Sequence, residues 1–471
     1  MARFALSLAL WVAALNFLYP KACELIGRPA VPFVDLLLYL PAVLMGVWHW
    51  CKGRSFASSW PVAICVGLVW TGLLYAGNSQ SDRGILIAAL LTIVLPVAAL
   101  IVEKRAWLAC ARTYVIANAT ALGIALWIES MGEKSTALLR VYNMFSRFGF
   151  LVAKDGYTRM ANPNQVGGQL ALASVLALIL YLNALSRTSR RGRTAELFLG
   201  LTVFLSLGCF LTASRGAAAS WLVGMGTLFL WGTKSQRQAQ LRDMVFLTTM
   251  GALALMLIVV ARQKSPLETL QSRLDDNTVS SLGGRASIWL HAWEAWHSNP
   301  DFLFRGTGTG MADEVLGQFD EQAREDDYGV LRLNCHNAFV EWGLSFGIVG
   351  MVCGGCLLTT MFHKMRLLDG ADRNVGRHAV LACVMVFAMT AVLYRHPCWM
   401  ATGSLVLAML SGAPGKRPGR RGHSAVQGSA QPPTPATSSE TTAAPHWQTG
   451  IARPARTDAV STPRDSQGEV S

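Results

Sequence analysis

Long apolar runs alternate along the chain with short polar connections, most of them basic. A helix needs about 20 apolar residues to cross a hydrocarbon core about 30 Å thick. By that measure the apolar blocks predict about twelve spans, at 4–19, 31–50, 60–76, 84–102, 113–128, 166–185, 195–213, 216–232, 244–260, 337–361, 378–394 and 398–412. The predicted fold class is all-α, a polytopic membrane helical bundle. The first block follows Arg3 and is not followed by a clean small-residue cleavage site, so it reads as an uncleaved span and not as a signal peptide.

The polar connections set the orientation. With the N-terminus inside, the cytoplasmic connections carry Lys52 and Arg54; Lys104, Arg105 and Arg112; Arg187, Arg190, Arg191 and Arg193; Lys234, Arg237 and Arg242; and Lys364, Arg366, Arg373 and Arg377. The short outer turns hold far fewer, such as Lys21, Arg28, Arg83 and Arg395. That asymmetry is the positive-inside pattern. The formal charge of +13 therefore reads as a topology signal and gives no reason to expect nucleic acid. Two outer segments are long, 129–165 and 261–336, and the second is the largest polar stretch between spans, so chemistry is expected on the outer face.

Residues 1–412 thus form the membrane domain, and 413–471 a tail rich in Pro, Ser, Thr, Ala and Gly. Such a composition buries too little apolar surface to fold, and the tail is expected to be disordered and cytoplasmic. Its basic start, Lys416 to Arg421, is expected to meet anionic headgroups. No internal repeat of clear period is visible, which counts against an inverted-repeat transporter.

Most of the ten cysteines lie in apolar blocks as small hydrophobes, Cys353 and Cys356 among them. Cys23 and Cys335 both fall outside, where a disulfide is open to them. The acidic pairs Asp275/Asp276 and Asp326/Asp327 lack a third ligand at metal-binding spacing, so they read as solvated loop charges and no metal is expected.

Arg215, in "TASRGA", falls at the outer end of the seventh span, with Ser214 and Gly216 beside it. A guanidinium at mid-bilayer costs about 3 kcal/mol even on the lenient insertion scale. Arg215 therefore either snorkels to the headgroups or meets an anion. In the large loop, Gly283-Gly284 precede a helix predicted from about Arg285 to about His297 and ended by Asn299-Pro300. Trp289, Trp293 and Trp296 recur there at i, i+4 and i+7, an aromatic face suited to the membrane interface or to the lid of a lipid site. "GTGTG", 306–310, superficially resembles a phosphate cradle, but with no strand before it and no helix signal after it the expectation is a turn. His336 and Asn337 stand at the entrance of the tenth span, with Glu341 one turn further in, where burial requires a partner or a polar cavity. In "NPNQVGG", Asn162-Pro163-Asn164 supplies cap and turn chemistry, and Gln165 is placed to hydrogen-bond a sugar.

Taken together, "NPNQVGG", "TASRGA", the Gly-Gly-Arg helix with "GTGTG", and "CHNAFVEWGLSFGIVG" resemble the O-antigen ligase and polymerase superfamily. The resemblance implies a GT-C-like membrane glycosyltransferase in a bacterial inner membrane, with both termini cytoplasmic and the active site periplasmic. It implies a glycan donor linked to undecaprenyl diphosphate, no metal and no cofactor. By motif, Arg215 and Arg285 are implied as diphosphate ligands and His336 as the group assisting the acceptor. Asn337, Asn164 and Gln165 are expected as further substrate contacts. The preferred acceptor is lipid A-core, as in a ligase. The alternatives are a polymerase that joins lipid-linked repeats and, more distantly, a lipid-linked glycan transporter.

Overall fold

The computed structural model describes residues 2–15, 107–131, 163–187, 192–212, 214–231, 285–309, 311–318, 324–325, 331–332, 335–367 and 371–390, with isolated positions at 18, 44, 67, 68, 71 and 402. All of them belong to one compact unit, Met1–Gly415. Apart from a two-residue antiparallel ladder, the described elements are helices.

Among the described residues four helices are long and apolar enough to cross a membrane, over Leu108–Trp127, Asn164–Leu185, Arg193–Phe210 and Ala338–Cys356, and Gly376–Ala388 is a shorter apolar one. The fold is that of a polytopic helical membrane protein. Seven of the twelve predicted spans fall on described helices: α1 (Ala2–Leu15), α2 (Trp107–Met131), α3 (Pro163–Arg187), α4 (Arg193–Leu211), α5 (Arg215–Trp231), and α9 and α10, introduced below. The spans at 31–50, 60–76, 84–102, 244–260 and 398–412, the acidic pairs, Cys23 and the tail lie outside the described residues, isolated positions aside.

α3 is the hub of the membrane core. It packs against α2, α4 and α5 and is buried almost throughout its length. Small residues make this possible: a Cβ on Gly167 would lie 2.5 Å from Thr212 Oγ1 and 2.8 Å from Ala217 Cβ. Close helix approach is what gives membrane helices their van der Waals cohesion, because lipid tails are as apolar as leucine. Buried hydroxyls satisfy one another across the same seams. Ser174 Oγ and Ser206 Oγ are 2.6 Å apart, and the Trp221 indole N–H donates to Ser206 Oγ at 2.9 Å, which ties α3, α4 and α5 together.

The segment preceding α9 (Ala338–Leu367) folds as a second, smaller cluster. α6 (Arg285–Ser298) matches the helix predicted from about Arg285 to about His297. Asn299 then caps α7 (Pro300–Arg305), its side-chain oxygen accepting from the Asp301 N–H at 2.9 Å with Pro300 in the first turn. A short helix α8 (Ala312–Gly317) follows the glycine loop, contrary to the expectation that no helix comes after it. Strands β1 (Arg324–Glu325) and β2 (Leu331–Arg332) pair Arg324 with Arg332 and Glu325 with Leu331. α9 (Ala338–Leu367) returns to the membrane and α10 (Ala371–Ala388) packs on α5. Ala292, Ala295, Leu316, Cys335 and Leu344 form the small core between α6, α8 and α9.

α9 is not the continuous span the apolar run predicts. Gly347 breaks it at φ 62°, ψ −160°, a conformation essentially confined to glycine. The break frees the carbonyls of Leu344 and Ser345, and the glycine loop takes them: the Thr307 N–H donates to Leu344 at 2.8 Å and the Gly308 N–H to Ser345 at 2.9 Å. Gly306, at φ 79°, ψ −177°, lies directly against the Ser345 and Phe346 backbone. Gly306 to Thr309 form a turn, as expected, whose further role is to clamp the α6–α8 segment onto the broken helix.

Candidate functional site at four helix N-termini

The residues singled out in the sequence share one structural property. Asn164 lies in the first turn of α3, Arg215 opens α5, Arg285 opens α6, and His336-Asn337 immediately precede α9. A helix N-terminus presents unpaired N–H groups and the positive end of the macrodipole, which together favour an anion. Three contacts connect these four ends in sequence.

The first joins α3 and α5. Ser214 caps α5, its Oγ accepting from the Ala217 N–H at 3.3 Å and donating to Asn164 Oδ1 at 2.7 Å. The residue before Arg215 is thereby fixed against the head of α3. Ser214→Ala is expected to remove both bonds. Cap loss costs about 1 kcal/mol, and transfer activity measured on purified protein should fall by about tenfold as Arg215 loses its register. An unchanged rate would show that Arg215 is positioned without Ser214.

The second contact is electrostatic. Burial, and after it the Arg215 guanidinium, lower the pKa of Arg285 below the ordinary arginine value. The Arg215 charge thus bears on Arg285, with Arg215 exposed and Arg285 half-buried. Among the described residues no carboxylate is paired with either of them. The position thus gathers two arginine side chains, an arrangement that suits an anion.

The third contact joins α6 to the head of α9. The Trp289 indole N–H donates to the Cys335 carbonyl at 2.9 Å. Cys335 is a buried thiol and not half of a disulfide, unlike the pairing open to it on sequence grounds; its Sγ lies 3.5 Å from the Asn337 carbonyl and 3.5 Å from Glu341 Oε2. Glu341 is fully buried and has in that thiol one of its partners. Between these anchors His336 adopts φ 49°, a left-handed backbone uncommon outside glycine, though His enters it with Asn and Asp more often than most residues. Non-glycine residues held there cost about 1–3 kcal/mol and concentrate at functional sites.

The remaining expected contacts divide. Asn337 caps α9, its Oδ1 accepting from the Phe339 N–H at 2.9 Å and the Val340 N–H at 3.3 Å, so only its amide nitrogen is left to face a ligand. Gln165 is half-buried in the first turn of α3, next to Asn164. The aromatic face of α6 is split: Trp289 and Trp296 turn inward, and only Trp293 remains largely exposed. Ser214 as a two-way link went unread in the sequence, although Ser three residues before a run of alanines is cap chemistry. The pairing of the two glycine motifs leaves no mark in local sequence. No group of three metal-ligating side chains occurs among the described residues.

Residues 200–354 match the family model described as O-antigen ligase. The matched segment contains Arg215, Arg285, His336 and Asn337 but not Asn164 or Gln165. No curated protein matches the chain. The family match supports the O-antigen ligase and polymerase superfamily, and with it ligase or polymerase activity in general, acting on a lipid-linked glycan and an acceptor.

Proposed function

Taking that superfamily as the premise, we propose that the chain transfers a glycan en bloc from undecaprenyl diphosphate to an acceptor hydroxyl at the periplasmic face of a bacterial inner membrane. The acceptor we favour is lipid A-core. The observation that carries the reading is the pair Arg215 and Arg285, which open helices α5 and α6, are electrostatically coupled and have no paired carboxylate among the described residues. That arrangement is unfavourable alone and favourable around a diphosphate.

Transfer breaks the anomeric C–O bond to phosphate, so negative charge grows on the departing diphosphate as the acceptor oxygen bonds to the anomeric carbon. Guanidiniums already in position stabilise that charge without reorganising. His336 takes or orients the proton of the acceptor hydroxyl, a role open to an imidazole near neutral pH. Direct displacement inverts the anomeric centre. No step needs a metal or a cofactor.

His336→Ala is expected to lower transfer by about 10²- to 10⁴-fold, the range of general acid–base assistance. The check is the rate with purified protein across about pH 6 to 8, the interval in which an ordinary imidazole titrates. Wild-type rates throughout that interval would remove His336 as a base. Ligase and polymerase separate in the lipopolysaccharide ladder of a deletion strain. Loss of all O-chain while lipid-linked polymer accumulates is the expected, ligase outcome; core bearing a single repeat means polymerase; an unchanged ladder overturns the O-antigen assignment.

A further inference from the structure

We propose that the outward arc of α6 is a glycan subsite, in which the Trp293 indole stacks on sugar units of the lipid-linked chain and His297 accepts one of their hydroxyls. The proposal rests on the diphosphate reading above and extends it from the headgroup to the saccharide.

Of the three tryptophans on α6, two are spoken for. Trp289 gives its N–H to the Cys335 carbonyl, and Trp296 packs on the small core with Ile288, Phe302 and Val340. Trp293 is 56% exposed, and neighbouring Leu290 63%. The indole is nevertheless held in place, because the His297 ring lies 4.0 Å from it centroid to centroid, tilted by 42°, and Trp296 meets it edge-on at 5.8 Å. A large aromatic plane kept in one orientation by other rings, with area still open, suits the apolar C–H face of a pyranose.

His297 adds directional chemistry. Its Nδ1 is 2.9 Å from the Trp293 carbonyl, and a carbonyl only accepts, so Nδ1 carries the hydrogen. In the neutral ring Nε2 is then a lone-pair acceptor, available to a hydroxyl. Leu290, Trp293, Glu294 and His297 fall within an arc of about 100° around the helix. A helix face that enters a leaflet is apolar with basic flanks. This arc instead carries an exposed carboxylate, Glu294, which anionic headgroups repel and sugar hydroxyls satisfy.

Position supports the same occupant. Trp293 is eight residues beyond Arg285 on the same helix, about 12 Å along its axis and about 80° around it. A diphosphate at the head of α6 therefore has its glycan leading toward the arc at the reach of a short oligosaccharide.

The test uses the full-length protein in nanodiscs with two donors, undecaprenyl diphosphate carrying one repeat and the same lipid carrying many. For Trp293→Ala the ratio of kcat/KM, many-repeat over one-repeat, is expected to fall by about tenfold, the scale of one aromatic contact. Trp293→Phe, which keeps a stacking plane, should recover most of it. An unchanged ratio overturns the proposal. So does an equal loss on both donors accompanied by loss of the fluorescence fraction that brominated phospholipid quenches in the wild type, which assigns Trp293 to the leaflet. Wild-type protein inactive on both donors removes the diphosphate reading, and the subsite with it.

Discussion

Alanine at Arg215 or Arg285 is expected to lower glycan transfer by at least about 10²- to 10³-fold, the usual loss when one preorganised donor to a developing anion is removed. The structure adds a second, opposite expectation. Arg285 is half-buried beside another cation, and burial together with the Arg215 charge works against its ionised form. Removing Arg215 relieves that repulsion, so thermal stability in detergent should hold or rise while activity disappears. Residues kept at a cost in stability are characteristic of functional sites. A snorkelling arginine gives the reverse pattern, losing stability and sparing catalysis. Arg285→Lys is expected to recover only part of the loss, since an ammonium keeps the charge but not the paired donors that fit phosphate oxygens. Full transfer by either alanine variant, in a purified assay with the protein shown to be folded, rejects the diphosphate role.

What was readable in the sequence and what was not separate along a physical line. Helices whose apolar length or end signals are local were legible. α3 begins at the proline of "NPNQVGG", α5 at the arginine of "TASRGA", and α6 runs from Arg285 to the stop at Asn299-Pro300. Residue types suited to an anion could be picked out too, and Arg215 bears electrostatically on Arg285 across some seventy residues of chain. Contacts made by the backbone were not. The aromatic periodicity of α6 suggested one uniform face, but the Cys335 carbonyl claimed Trp289 and the small core claimed Trp296, leaving Trp293 outside. The span entered at Asn337 read as one continuous helix because glycines are common in membrane helices and none of the five in 343–355 announces a break. Only the pairing of Leu344 and Ser345 with Thr307 and Gly308 distinguishes Gly347 from its neighbours. That pairing is non-local and so absent from periodicity.

Gly347→Ala should therefore be the most damaging glycine substitution in this stretch. A Cβ there would lie 2.5 Å from both the carbonyl carbon and oxygen of Phe304 and 2.8 Å from the Arg305 nitrogen, all backbone atoms that cannot swing aside. It would also force φ 62°, ψ −160° on a residue with a side chain. The torsional part alone costs about 1–3 kcal/mol, and the overlap adds to it, so a loss of about 3 kcal/mol or more is expected. The consequence is specific to place. If Gly347 straightens, Leu344 and Ser345 return to helical bonding, the Thr307 and Gly308 N–H groups lose their acceptors, and the α6–α8 segment bearing Arg285 is released from α9. Two readouts should move together: earlier proteolysis within 285–318, and loss of transfer. Gly355→Ala is the control, since it lies on the same helix with nothing within 4 Å of an added Cβ. Alanine there should leave both readouts unchanged or slightly improve stability through helix propensity. If Gly347→Ala matches Gly355→Ala in thermal stability and protease resistance, the break is not what holds the α6–α8 segment to α9.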